Sequence, residues 1–408
     1  MIFIFLAIAT YAMLGCMQLG LSIDVKEVRA DIVYLASDSL EGRETGTEGE
    51  RMAAEYIAAR MAALGLYPAG ESGTFFQTFA TYVPVNPHTP DGEKETLTGR
   101  NVVGSIDHKA DNTVVIGAHY DHLGFGGMGS LHAGEDAIHN GADDNASGIA
   151  AMLQLAELLQ KRHTDNNYLF IAFSGEEKGL LGSNYFTKNA TIDLTTVNYM
   201  LNMDMVGRLK PEKTLAINGV GTSPLWTPTL EQIDVSDIKF VTTESGFGPS
   251  DHTSFYKEDI PVLHFFTGQH EDYHKPSDDP DKINYDGIVS VVKVLEQLIG
   301  SLDDDGRIPF SKSDDTNTNV QRSFKVTLGV IPDYLFDGAG MRIDGVRDGR
   351  PAANAGILKG DVVLQMGDIE VDGMQTYMDC LEKFAPGEKI LVVVLRDGKR
   401  VEKEVQFD

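Results

Sequence analysis

Apolar positions recur at helical spacing in two N-terminal stretches, residues 25–39 and 47–64. The second places Met52, Ala53, Tyr56, Ile57, Met61 and Leu64 on one side. Thr47 with Glu50 three residues on fits a capping box and predicts a helix start there. Between the two stretches, residues 40–46 are turn-rich. From Asn101 onward the period alternates. Strands are predicted over 102–106, 113–118, 168–173, 197–203, 214–218 and 261–266. Helices are predicted after Asp144, near 180–187, and over 285–302, where the pattern is amphipathic. Such alternation predicts an α/β fold: a mixed, largely parallel sheet flanked by helices on both faces.

Around Asp303-Asp304-Asp305-Gly306 the pattern fades into a polar, hydroxyl-rich run that reads as a linker, residues 303–320. Short strands with Gly and Asp turns follow, at 324–330, 341–346, 362–366 and 389–395. Helical segments interrupt them near Ala352 and over 374–384. Residues 321–408 therefore form a second, small β-rich module beside a main domain of residues 24–302.

A chain of 408 residues has ample material for two cores. Its formal charge of −27 argues against nucleic acid and against an anionic membrane surface as partners. Residues 1–15 are almost wholly apolar, end at Cys16, and carry no charge before Asp24. Residues 1–23 read as an export segment directing the chain to the periplasm or cell envelope, although the usual positive n-region is missing. Met13-Leu14-Gly15-Cys16 resembles an imperfect bacterial lipoprotein cleavage box, in which Cys16 would be lipidated. An ordinary cleaved signal and a short anchor are the competing readings, the run being shorter than the ~20 residues of a spanning helix. Cys380 is then the only unmodified thiol, so no disulfide is expected.

The stretch Gly141-Ala142-Asp143-Asp144-Asn145-Ala146-Ser147-Gly148 puts an acidic pair at the mouth of an apolar helix, with Asn145 or Ser147 able to cap it. Carboxylates there suit a cation, although a plain capped helix uses the same residues. Four more clusters follow predicted strands: His119 with Asp121, Glu176 with Glu177, Asp204, and His274 in the loop after Phe266. Ligands in open α/β sheets gather at those carboxyl ends. Taken singly, each has a bland reading. His119 and Asp121 could be a hydrogen-bonded pair, Glu176-Glu177 a helix N-terminal acid pair, and His274 a loop histidine. An unpaired carboxylate inside the apolar run around Asp204 is costly and harder to dismiss.

Taken together the motifs resemble the M28 family of co-catalytic zinc aminopeptidases. The residues that carry the resemblance are Ala118-His119-Tyr120-Asp121-His122-Leu123-Gly124, the stretch from Gly141 to Gly148, Ser174-Gly175-Glu176-Glu177, Asn202-Met203-Asp204 and Tyr273-His274-Lys275-Pro276-Ser277-Asp278. Leu40 to Gly46 and Ser250-Asp251-His252 also look like family segments. The resemblance implies two zinc ions, with cobalt or manganese as alternatives. Asp144 would bridge them; His119 and Asp204 would complete one site, Glu177 and His274 the other. Asp121 would orient His119, and Glu176 would be the general base for a water between the ions, the substrate being a peptide with a free N-terminus. A cis peptide between Asp144 and Asn145 is also implied. The tail resembles a PDZ domain, with Leu328-Gly329-Val330-Ile331 where a C-terminal peptide ligand would dock, and Gly349 to Gly356 followed by Gly360-Asp361 as its other signature.

One position departs from the family. Where some members carry a tyrosine that helps hold the oxyanion, this chain has Phe247. Phenylalanine has no donor, so the oxyanion would rely on zinc, on a backbone N–H or on a nearby group such as His252; alternatively Phe247 lines a pocket for the substrate's first side chain. Two other functions compete: a glutaminyl cyclase-type acyltransferase on the same fold, and a non-catalytic peptide-binding protein.

Overall fold

The computed structural model describes residues 23–84, 94–127, 129–132, 134–235, 237–313, 326–333, 336, 338–346 and 349–407. Residues 1–22 of the predicted export segment, with Cys16, residues 314–320 of the predicted linker, and residues 321–325 of the predicted small module lie outside them. Among the described residues no helix is long and apolar enough to cross a membrane.

Two helices open the chain. Helix α1 (Val25–Leu35) starts at Asp24, whose carboxylate accepts the Lys26 N–H at 2.8 Å. It stops four residues before the periodicity does, because the Ser37 hydroxyl bonds back to Tyr34 O and a 3-10 turn (Asp38–Arg43) takes over. Helix α2 (Glu48–Ala63) is capped by Thr47 as expected. The reciprocal half of the capping box is absent: Glu50 points inward instead, to a buried network described below.

The large sheet is built from nine strands: β1 (Tyr67–Pro68), β2 (Phe76–Pro84), β3 (Lys94–Ile106), β4 (Thr113–His119), β5 (Asn167–Phe173), β6 (Val197–Met203), β7 (Thr214–Asn218), β8 (Lys239–Thr243) and β9 (Val262–Phe266). Their order is β1-β3-β5-β4-β6-β9-β7-β8, with β2 also paired to β3. The centre is parallel, β5, β4, β6 and β9 running side by side, while β1, β2 and β3 add antiparallel to one edge and β7 antiparallel to β9.

Both faces of that centre are covered. Val114 and Ile116 pack with helices α1, α2, α3 (Gly148–Leu159) and α7 (Tyr285–Leu302), whereas Val115 packs with α4 (Leu181–Lys188) and α6 (His252–Tyr256) on the other side. Successive side chains of a strand point to opposite faces, so a strand covered on both reads as one apolar run. A short helix, α5 (Trp226–Leu230), buries Trp226 in the first of these cores.

Residues beyond α7 are not a free linker at first. After the turn Asp303–Asp305 the chain docks on the large unit, with Ile308 N–H on Asn198 Oδ1 at 2.8 Å and Ser311 N–H on Thr222 O at 2.8 Å. The C-terminal unit is a separate antiparallel sheet: β10 (Val330–Pro332), β11 (Met341–Val346), β12 (Val362–Met366), β13 (Ile369–Glu370), β14 (Lys389–Arg396) and β15 (Lys399–Gln406), with helices α8 (Pro351–Asn354) and α9 (Met374–Leu381). Of the described residues in the strand predicted at 324–330, Val330 alone joins a ladder. Val326 and Leu328 are nonetheless buried in this unit's own core, which accounts for their apolar spacing.

Candidate metal centre

Four parallel strands end on one rim and each delivers a side chain there: His119 from β4, Glu176 and Glu177 after β5, Asp204 after β6, and His274 from the loop after β9. Asp144 comes from the turn before α3. The peptide Asp144–Asn145 is cis, as the family resemblance implied. Asn145 caps the helix, accepting the Gly148 N–H at 3.0 Å, and ties the turn to the end of β6 by donating to Met203 O at 3.0 Å.

Asp144 Oδ1 stands 3.3 Å from His119 Nε2, and its Oδ2 stands 3.2 Å from His274 Nε2. Asp204 Oδ1 lies 3.4 Å from His119 Nε2, and Glu177 Oε2 lies 3.3 Å from His274 Nε2. These separations match the edges of a tetrahedron about 3.3 Å long, as four ligands at about 2.0–2.1 Å from a zinc ion would require. Among the described residues two groups have possible ligand atoms close enough together to hold a metal ion: His119 with Glu176 and Asp204, and His122 with Asp144 and Glu177.

The tautomers agree with that fit. His119 Nδ1 faces the main-chain carbonyl of Asp121 at 3.2 Å, and His274 Nδ1 faces that of Gly129 at 2.8 Å. A carbonyl can only accept, so each Nδ1 carries the proton and each Nε2 turns a lone pair toward carboxylate oxygens. Lone pair against carboxylate is repulsive unless a cation, or a second proton, lies between. Burial alone would lower the pKa of both rings. The surrounding carboxylates outweigh it and hold both well above the usual histidine value, Glu176 and Asp204 acting on His119, Glu177 and Asp144 on His274. The same field favours a divalent cation.

Asp121 orients His119 through its carbonyl rather than its carboxylate, which is 3.8 Å from Nδ1. The carboxylate instead accepts Thr45 Oγ1–H at 2.8 Å and the Glu176 N–H at 3.1 Å. Asp121 therefore places Glu176. Burial, together with Asp204, Glu177 and Asp251, pushes the Glu176 carboxyl well above the ordinary range, against the pull of His119. Its Oε2 is 4.0 Å from His119 Nε2. Asp143 turns away from the rim: it accepts from Gly207 N at 2.6 Å and faces His270 Nε2 at 3.1 Å. Asp278 Oδ2 accepts the N–H groups of both Asp143 and Asp144, fixing the turn from outside.

Several residues of the site escaped the sequence reading. His122 Nδ1 meets Glu177 Oε1 at 2.8 Å. Glu50 is buried and its Oε1 accepts from Tyr120 Oη, Ser174 Oγ and Arg100 N, joining the ends of β4 and β5. Arg43, fully buried, donates to the carbonyls of Tyr120 at 2.6 Å, Leu35 at 3.0 Å, Gly141 at 2.6 Å, Asp144 at 3.3 Å and Asn140. Burial lowers its pKa to about 10, while Asp144, Asp121, Asp278 and Glu177 oppose that drop, so it stays a cation amid the acids. Gly42 beside it has φ +69, and a Cβ there would sit 2.5 Å from Gly124 O, so the turn that aims Arg43 admits only glycine.

A cavity of about 130 Å³ opens on His119, Asp144, Glu177, Asp204, His274 and Glu176. Met205, Pro249, Phe266 and Tyr273 give it apolar wall; Asn218, His264 and Gln269 add polar groups. The structure does not bring Phe247 to this wall: its ring packs edge-on against Tyr256 at 4.8 Å. His252 is also removed from it, stacked behind His264 at 4.6 Å. In the small unit, the Leu328 side chain is in the core and the Gly329 N–H is taken by Thr327 Oγ1 at 3.0 Å. Val330 and Ile331 lie in β10, the edge strand of that sheet.

The profile of peptidase family M28 matches residues 101–299, which include His119, Asp144, Glu176, Glu177, Asp204 and His274. The large unit belongs to peptidase family M28. A PDZ domain profile matches residues 310–407. Aminopeptidase YwaD of Bacillus subtilis (strain 168), similar to the M28 unit, is 28% identical over 204 residues, 46% of this chain and 41% of its own length. The chain spans about half the length of the curated relatives it matches. Among solved structures, a Zn-dependent exopeptidase from Parabacteroides distasonis ATCC 8503 has a TM-score of 0.55 at 16% identity, over 68% of this chain and 98% of that one. The glutaminyl cyclase of Porphyromonas gingivalis also reaches 0.55, at 17% identity, over 68% and 98%. At such identities the likeness to the M28 unit is one of fold.

Proposed function

We propose that this chain is a two-metal aminopeptidase that removes N-terminal residues from peptides. The observation that carries the reading is Asp144, one oxygen toward His119 and the other toward His274. A carboxylate turned to two imidazoles in that way suits a pair of ions better than the single zinc of a cyclase. A non-catalytic scaffold has no use for an intact Glu176.

His119, Asp144 and Asp204 would hold one ion, and His274, Asp144 and Glu177 the other. Bound there, two zinc ions would supply Lewis acidity and lower the pKa of a shared water toward neutrality. Glu176 takes a proton from the attacking water at its carboxylate and passes it to the leaving amine. Asp121 keeps Glu176 in place through the main chain. The cavity is small beside the ~300 Å³ and more of a drug-sized pocket, so it fits one residue rather than a length of chain. That favours removal of a terminal residue.

The PDZ domain, in this reading, takes a C-terminal peptide as an added strand along β10. The apolar run 1–15 exports the chain, with lipidation of Cys16 as its anchor.

The test is metal analysis and turnover on the purified chain, using aminoacyl amides and their N-acetylated controls, with and without chelator. About two tightly held equivalents of zinc, hydrolysis of the free amines only, and loss on chelation are expected. Cobalt or manganese in place of zinc would leave the reading intact, since occupancy follows availability as well as geometry. Absence of tightly bound metal, or equal cleavage of acetylated substrates, would overturn it.

A further inference from the structure

Some walls of the cavity serve no metal. His264, in β9, is 4% exposed and lines the cavity. Its ring stacks on His252 at 4.6 Å and on Phe266 at 6.0 Å, which fixes its plane. Asn218 Nδ2 donates to His264 Nδ1 at 3.1 Å, and the Asn218 carbonyl accepts Thr243 Oγ1–H at 2.7 Å, which orients the amide. With Nδ1 accepting, the ring proton sits on Nε2. Burial holds this imidazole neutral, its pKa down to about 4.

The Nε2–H has no partner among the described residues, and neither has the buried Oε1 of Gln269, another residue of the same wall. A buried donor and a buried acceptor are thus left unmet on two residues that line one small cavity, which is unfavourable until a ligand or water meets them. An apolar side chain would leave both unmet. A carboxylate would face the Gln269 oxygen and the acidic ligands. A cation could not accept from His264.

We propose that the cavity receives the substrate's first side chain and selects a neutral carboxamide, glutamine or asparagine. Its carbonyl accepts from His264 Nε2–H and its NH2 donates to Gln269 Oε1. The inference rests on the aminopeptidase reading and names its substrate class; His264 and Gln269 are the specificity-determining residues.

The experiment compares kcat/KM for glutaminyl, asparaginyl, methionyl, leucyl and glutamyl amides, with release of the free amino acid read by mass spectrometry. Glutamine is expected to exceed methionine, its near-isosteric apolar counterpart, and glutamate, its charged one, by at least about tenfold. That ratio should collapse in both His264→Met and Gln269→Leu. Preference for leucine or methionine in the unmodified chain, or an unchanged ratio in both variants, would overturn the proposal. A second readout is independent of turnover: the melting temperature of the zinc-loaded chain with free L-glutamine or L-methionine. A rise with glutamine alone, lost in His264→Met, supports the pocket even if no amide is hydrolysed, in which case only the hydrolase reading falls. Equal shifts, or none, count against the pocket itself.

Discussion

His122 and Glu177 meet Nδ1 to Oε1 at 2.8 Å, and this leaves the other oxygen of Glu177 facing His274 at 3.3 Å. A carboxylate held by one oxygen presents the second in a fixed direction, which is how an outer partner tunes a ligand. His122→Leu should keep the fold and weaken metal binding about 10–100-fold, measured by competition with a chelator. Unaltered affinity would deprive the contact of that role.

Glu176 lines the cavity without closing either tetrahedron in the proposed ligand sets. Replacing it by glutamine keeps the shape and removes the proton acceptor. Glu176→Gln should retain the metal content of the unmodified chain while kcat drops by two or more orders of magnitude. Metal analysis and steady-state kinetics on one preparation check both halves. A variant with near-full turnover would take Glu176 out of proton transfer.

Strands β6 and β7 and helix α7 were legible in the sequence to the residue, because long runs covered by neighbours leave a strong apolar signature. Strand β8 at one sheet edge and β2 at the other were not. Tyr82 of β2 is 75% exposed and Phe79 only 2%, so apolar residues there do not mark one buried face. Helix α6 spans five residues, too few for a period to register. Within the site, acids and histidines at strand ends stand out against apolar runs. Arg43 did not, since an arginine in a Gly-rich turn looks solvated. His264 sits among Val262, Leu263, Phe265 and Phe266 and reads as a core histidine. Only the cavity beside it, and the missing partner at Nε2, distinguish it. The Thr47–Glu50 pair misled in part, since a tertiary network claimed Glu50.

Arg43 gathers five main-chain carbonyls from α1, the end of β4 and the Asp144 turn. A lysine ammonium has three donors at one point and cannot span that set. Arg43→Lys should lower unfolding free energy by about 3 kcal/mol, as buried carbonyls lose their donors. Urea denaturation reads this. Metal affinity should fall with it, because the Asp144 turn loses two of its ties. A stability loss under about 1 kcal/mol would show that water or neighbouring groups replace the clamp.

Asp272 anchors the loop that carries His274, accepting from Arg208 at 3.0 Å, Ser277 at 2.7 Å, and Lys282. Burial would raise its pKa, but Lys282, Ser277 and Arg208 prevail and bring it down to about 2. A carboxyl depressed on folding stabilises fully above its unfolded value of about 3.9, and that contribution fades as pH falls toward 2. Thermal melts should therefore show a component lost between roughly pH 4 and pH 2 that Asp272→Asn lacks. The variant should also melt lower at pH 7. Parallel melting curves for the two proteins across that acid window would refute the assignment.

Where the peptidase unit ends decides what can be cut away. The chain after Asp305 buries Ile308, satisfies Asn198 through Gly306 O at 2.7 Å, and seats Ser313 against Tyr256 Oη at 2.7 Å. Those contacts belong to the large unit, whereas the small sheet has its own core around Leu328, Val392 and Phe407. Removing residues 321–408 should thus leave turnover of small amides and the melting temperature of the large unit close to those of the full chain. Removing 303–408 should cost the burial of Ile308 and strip Asn198 of its hydrogen bonds to Gly306 O and Ile308 N–H, lowering the melting temperature by roughly 5–10 °C. Equal damage from both truncations would mean that the PDZ domain itself supports the peptidase fold. Equal tolerance would mean that the docked segment contributes nothing to it.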